Sequence, residues 1–88
     1  MQQHQIVAIR KPNRYSDVEH ITHVKYDGVV HMREEVIRRI KARTDSFFVR
    51  VAGAIAWVEV VEPYGRDPYI RTRPDGTGKD NLLSLPEC

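Results

Sequence analysis

The sequence predicts a small α+β domain: one helix packed on a mainly antiparallel sheet of about five strands, in the order β-β-α-β-β-β. Three observations carry this expectation. Two alternating runs flank Gly53, the signature of a hairpin. Met32, Val36, Ile37 and Ile40 recur at helical spacing. Three further short runs rich in Ile, Val and Tyr are bounded by Pro, Asn, Asp and Gly. With 88 residues, 41% apolar and 30% charged, the chain can support one core, so residues 1–88 read as one domain.

Taken in order, the first strand is expected over Gln5 to Arg10, on Ile6, Val7, Ala8 and Ile9, and the second over His20 to Tyr26, on Ile21 and Val24. Lys11 to Glu19, with Pro12, Asn13 and Asp17, is their loop. The helix is expected from about His31 to Arg43. Glu34 with Arg38 and Glu35 with Arg39 sit at i,i+4, acids fall in the first turn, and Lys41 and Arg43 close the last. No Ser, Thr, Asp or Asn stands immediately before Met32, so the helix begins without a side-chain cap.

In the hairpin, Phe47, Val49 and Val51 alternate with Phe48, Arg50 and Ala52, and a second run extends from Ile55 to Val61. A two-residue Gly53-Ala54 loop sets Ala52 opposite Ile55, Val51 opposite Ala56, Val49 opposite Val58 and Phe47 opposite Val60, an apolar face drawn from both strands. On the other face Arg50 then lies beside Trp57 and Phe48 beside Glu59. Pro63 and Gly65 turn the chain toward a last strand, Pro68 to Thr72, after which Arg73-Pro74-Asp75-Gly76 fits a type I turn. Leu82 and Leu85, three apart, form one short helical turn capped by Asp80, docking the tail on the core.

Composition narrows the function classes. The longest apolar stretch, Val51 to Val58, is far below the roughly 18 residues of a membrane span, and Met1 to Gln5 has no secretory character. A lone cysteine, Cys88, leaves no internal disulfide, and a reducing, cytoplasmic setting is expected. A formal charge of +2 is a weak nucleic-acid signal.

No enzymatic constellation assembles. His20 and His23, three apart on a strand, point to opposite faces, so no metal is expected there. Cys88, beside its own carboxylate, is a poor nucleophile. Glu34-Glu35 serve the helix dipole, the pair Asp75 and Asp80 forms no acid/base site, and Gly76-Thr77-Gly78-Lys79 lacks phosphate-loop spacing. No cofactor is expected.

The set that stands out is Phe48, Arg50 and Trp57 on the outer hairpin face, joined by Tyr69, Arg71 and Arg73 from the last strand. Aromatics interleaved with arginines suit a ligand bearing phosphates and flat bases. The expectation is a non-enzymatic module binding nucleic acid or a nucleotide there. The alternative is a protein–protein or homo-oligomeric contact through the same face, with Arg50 lying over Trp57 as a cation–π pair.

Thr72-Arg73-Pro74-Asp75-Gly76 followed by Asp80-Asn81-Leu82-Leu83-Ser84-Leu85-Pro86 resembles the closing signature of the family called domain of unknown function 3892. His20-Ile21-Thr22-His23-Val24 is similar to that family's second strand, the helix ending at Ile40 is similarly placed, and Phe48-Val49-Arg50 and Tyr69-Ile70-Arg71-Thr72 match its later strands. The sequence departs at Gly78, where family members carry an aromatic two residues before the Asp-Asn pair. The resemblance implies a small stand-alone domain of bacteria and their phages, and no established activity.

Overall fold

A computed structural model describes residues 1–73 and 80–88, which form seven strands and one α-helix in two sheets. The elements are β1 (Gln2–Gln5), β2 (Ala8–Arg10), β3 (His23–Tyr26), β4 (Val29–Met32), α1 (Arg33–Lys41), β5 (Asp45–Val51), β6 (Ala54–Val61) and β7 (Tyr69–Thr72). One sheet has the order β1-β5-β6-β7, antiparallel except that β1 runs parallel to β5, and the other is antiparallel β2-β3-β4. The α+β class is therefore correct, and the single five-stranded sheet becomes seven strands in two.

Two local events account for that difference. The first expected strand is divided: the Ile6 amide donates to the Phe48 carbonyl at 2.8 Å and the Val7 amide to the Lys25 carbonyl at 3.0 Å, so the chain passes between sheets within two residues. The second event is a hairpin that precedes the helix. Asp27 and Gly28 hold φ of 53° and 75°, the left-handed pair of a two-residue loop, and Tyr26 pairs with Val29. The helix accordingly starts at Arg33 and not near His31, with Met32 extended at its N-cap and making no capping side-chain bond. Met32 is exposed, whereas Val36 and Ile37 are buried. His20 belongs to a 3-10 turn, Val18–His20, ahead of β3.

The β5–β6 hairpin forms with a loop one residue earlier than expected. Ala52 and Gly53 occupy it, at φ of 51° and 82°, and Val51 pairs with Ala54, Arg50 with Ile55, Val49 with Ala56 and Phe48 with Trp57. Partners thus shift by two residues. Because side chains alternate with period two, the shift leaves both faces intact.

Val36 and Ile37 of α1, Phe47, Val49, Val58 and Ile70 of the larger sheet, and Ile9, Val24 and Tyr26 of the smaller meet in one cluster with Ile6, Ile21 and Leu82. Asp80 caps the 3-10 turn Asn81–Ser84 by accepting from the Leu82 amide, and it also accepts from the Thr72 amide and hydroxyl at 3.0 and 3.1 Å. This double hold explains how the leucine tail is docked. Beyond it the chain lies along β2, with Ile9 donating to the Pro86 carbonyl and accepting from the Cys88 amide. The expected turn over Arg73-Pro74-Asp75-Gly76, the Gly76 to Lys79 run, and Asp75 of the carboxylate pair lie outside the described residues, apart from Arg73.

Candidate functional site

Register decides which side chains share the outer face of the larger sheet. The inner face carries His4, Phe47, Val49, Val58, Ile70 and Thr72, all buried. Alternation puts Phe48 and Arg50 of β5, Ile55, Trp57 and Glu59 of β6, and Tyr69 and Arg71 of β7 on the other side. Arg73 continues the β7 ladder, its amide donating to the Trp57 carbonyl at 2.8 Å. All six sequence-selected residues therefore lie on one face.

They do not form one compact site. Phe48 and Trp57 are directly opposed, with ring centroids 5.5 Å apart and planes tilted by 58°. Arg50 faces Ile55, so it is displaced from the position over Trp57 that the earlier register gave it. Tyr69 pairs with Val61, four residues along β6 from Trp57, a separation of about 13 Å at strand rise. Between the two aromatic positions, Glu59 accepts from Arg71 at 2.8 Å and approaches Arg73 at 3.9 Å. The Glu59 carboxylate holds the Arg71 guanidinium above its ordinary pKa, chiefly through that hydrogen bond. Arg50 is exposed and makes no ion pair among the described residues.

At the Tyr69 end the face runs into an open cleft of about 710 Å³ lined by Glu19, His20, Arg33, Gly65, Arg66, Asp67 and Tyr69. Its cations are engaged internally: Arg66 pairs with Glu19 at 3.1 Å, and Arg33 donates to the Glu19 and Ile21 carbonyls and to Glu34. An anion entering here competes with contacts already made.

Sequence reasoning missed a polar cluster under the opposite face. His4 is buried between two carboxylates, Nδ1 at 2.8 Å from Asp27 and Nε2 at 2.6 Å from Asp45. Asp45 also accepts from the Thr44 hydroxyl at 2.6 Å and lies 3.4 Å from Arg39. Its carboxyl is held below the ordinary aspartate value, first by Thr44 and then by His4, against the opposing effect of burial. Tyr26 packs at 5.0 Å from His4 and stacks on His31 at 3.9 Å; burial raises its phenol pKa. The Tyr26 hydroxyl and His31 Nε2 are buried without hydrogen-bond partners among the described residues. With His4 and Asp45 buried, the cluster ties β1 to β5 and to the Asp27 turn, whose carboxylate is 63% exposed. The sequence separations of 23 and 41 residues hid it, although Asp27-Gly28 is itself a hairpin signal.

Of the two expected helix pairs, Glu35–Arg39 forms, whereas Arg38 joins Glu35 and not Glu34. Arg38 and Arg39 both bind Glu35, at 2.7 and 2.8 Å, Glu34 takes Arg33, and Lys41 reaches Glu62. Among the described residues no group of three or more His, Cys, Asp or Glu side chains is arranged to hold a metal, and no helix is long and apolar enough to cross a membrane.

A two-layered α+β domain with an open arginine- and aromatic-bearing sheet face is thus the class of protein the coordinates define. Residues 5–86 match the family described as Protein of unknown function (DUF3892), and the chain belongs to that family. No curated protein and no solved structure matches it.

Proposed function

We propose that this domain is a non-enzymatic binding module whose outer sheet face takes a phosphate-bearing ligand, and that the ligand is a single-stranded nucleic acid. The observation carrying this reading is the row itself: the Phe48–Trp57 pair at one end, Tyr69 about 13 Å away, and arginines beside and between them. A free nucleotide is best held in a concave pocket that encloses it, whereas a flat row of separated rings fits successive bases of an extended strand. Arg50, exposed and without an ion pair among the described residues, is the cation most available to phosphate, while Arg71 is shared with Glu59.

The test is fluorescence anisotropy of labelled oligothymidine and oligouridine titrated with the protein at several salt concentrations, with Trp57 emission followed in parallel. Binding should weaken steeply with salt as counterions are released, and Trp57 should be quenched. Binding that is absent at low salt, or that survives in an Arg50→Ala/Arg71→Ala variant, overturns the reading. The second reading, a subunit contact through this face, is favoured by Ile55, which is 47% exposed there. Salt-resistant self-association that Ile55→Ser abolishes would support it.

A further inference from the structure

The four edges of the two sheets are not equally protected. The β2 edge is covered by the tail, which bonds Ile9 on both its backbone groups. On the β7 edge the Thr72 amide is taken by Asp80 and the 3-10 turn Val18–His20 packs alongside. The β1 edge is polar, carrying Gln2, Gln3 and Gln5. Among the described residues only β4 is both uncovered and apolar, with Val29 55%, Val30 37% and Met32 58% exposed.

Backbone direction on β4 can be read from its neighbours. A two-residue loop closes on a hydrogen-bonded pair, here Tyr26 with Val29, so Val24 with His31 is the next such pair and Lys25 with Val30 lies between. The Lys25 carbonyl indeed turns the other way, toward the Val7 amide. Val30 therefore directs its N–H and C=O outward, and neither has a partner among the described residues.

We propose that β4 pairs antiparallel with β4 of a second copy across a twofold axis at Val30, joining two three-stranded sheets into one of six. Two features favour a second copy over a foreign strand. Reciprocal bonds between the two Val30 residues satisfy both outward groups. Counting outward from the axis, Met32 falls opposite Gly28 of the copy, where open space surrounds the missing side chain. A four-residue edge covers less than the roughly 800 Å² per partner of a stable complex, so the dimer is weak and concentration-dependent.

The test is sedimentation velocity of the intact, reduced chain from about 10 μM to 1 mM, with the Val30 amide followed by NMR over the same range, a span chosen for a weak interface. Expected are a rise in sedimentation coefficient and growing protection of the Val30 amide. Val30→Lys should weaken association roughly tenfold or more, since a charged edge resists pairing. Trp57→Ala should leave association unchanged, which separates this contact from the outer face. A chain that stays monomeric to 1 mM, or a dimer indifferent to Val30→Lys in a variant whose circular dichroism is native, overturns the proposal. So does a monomer whose Val30 amide is protected only by an added synthetic strand-forming peptide of unrelated sequence, an outcome that assigns the edge to a foreign strand.

Discussion

The two faces of the larger sheet use polar residues in opposite ways. Beneath the inner face, His4 meets Asp27 and Asp45 at 2.8 and 2.6 Å, and Asp45 has a further partner in Thr44. On the outer face Arg50 has no partner among the described residues, and one carboxylate, Glu59, is shared by Arg71 and Arg73. Burial is the cause of the difference. A charge removed from water must be paired closely or the fold loses more than the charge contributes, whereas an exposed cation is solvated at little cost and stays available to a ligand. The inner cluster is therefore stabilising structure, and the outer row is where a partner can gain affinity.

The largest expected effect breaks the inner side. His4→Ala leaves Asp45 buried with one partner fewer and detaches β1 from the Asp27 turn, and should cost roughly 3 kcal/mol in urea unfolding. Arg50→Ala, by contrast, should stay within about 0.5 kcal/mol of the parent. Equal costs for the two variants would erase the distinction between the faces.

Acid sharpens the comparison further. The folded carboxyl of Asp45 lies below its unfolded value, held there by Thr44 first and His4 second. Its contribution is consequently complete above the unfolded aspartate range and is lost as pH falls through the depressed folded value. Unfolding free energy should decline as pH falls below the ordinary aspartate range, and Asp45→Asn should flatten that slope while lowering stability at neutral pH. An unchanged slope in Asp45→Asn would remove Asp45 from the account of acid stability.

How far each face was legible in the sequence follows from the range of the interactions that build it. The outer row was legible because it needs only alternation: Phe48 with Arg50, and Tyr69 with Arg71 and Arg73, share a face in any register that preserves parity. The register itself was not. A glycine-first loop favoured Gly53-Ala54, whereas the chain places Ala52 at φ 51° and Gly53 after it, a strained non-glycine position that the hairpin twist requires. The β3–β4 hairpin escaped because Met32 fits the helical stripe of Val36, Ile37 and Ile40, and that period outweighed the Asp27-Gly28 turn signal. The His4 cluster depends on parallel pairing of β1 with β5, a contact no local pattern encodes.

A smaller effect belongs to the outer face. Trp57→Ala should reduce oligonucleotide affinity by about 5- to 100-fold, the loss of one stacked base at 1–3 kcal/mol, read by anisotropy at low salt. Tyr69→Ala should weaken binding of long oligonucleotides more than of short ones, because Tyr69 sits at the far end of the row from the Phe48–Trp57 pair. Equal losses at every length would argue that Trp57 and Tyr69 do not contact the same strand.

The smallest and most diagnostic change is at Glu59. This carboxylate is the one acid within reach of Arg71 and Arg73 among the described residues, and it neutralises part of the charge that a phosphate would meet. Glu59→Gln keeps the side chain's length and removes its charge, leaving Arg71 free to turn outward without disturbing Trp57 or Phe48. If the row binds phosphates, affinity should rise a few-fold and the salt dependence should steepen, since one more cation is released to the ligand. Stability should change little, the pair being partly exposed and of low net worth. A variant whose affinity falls would instead give Glu59 a direct contact to the ligand, such as accepting from a base amino group, and would move the recognition chemistry from the arginines to the carboxylate between them.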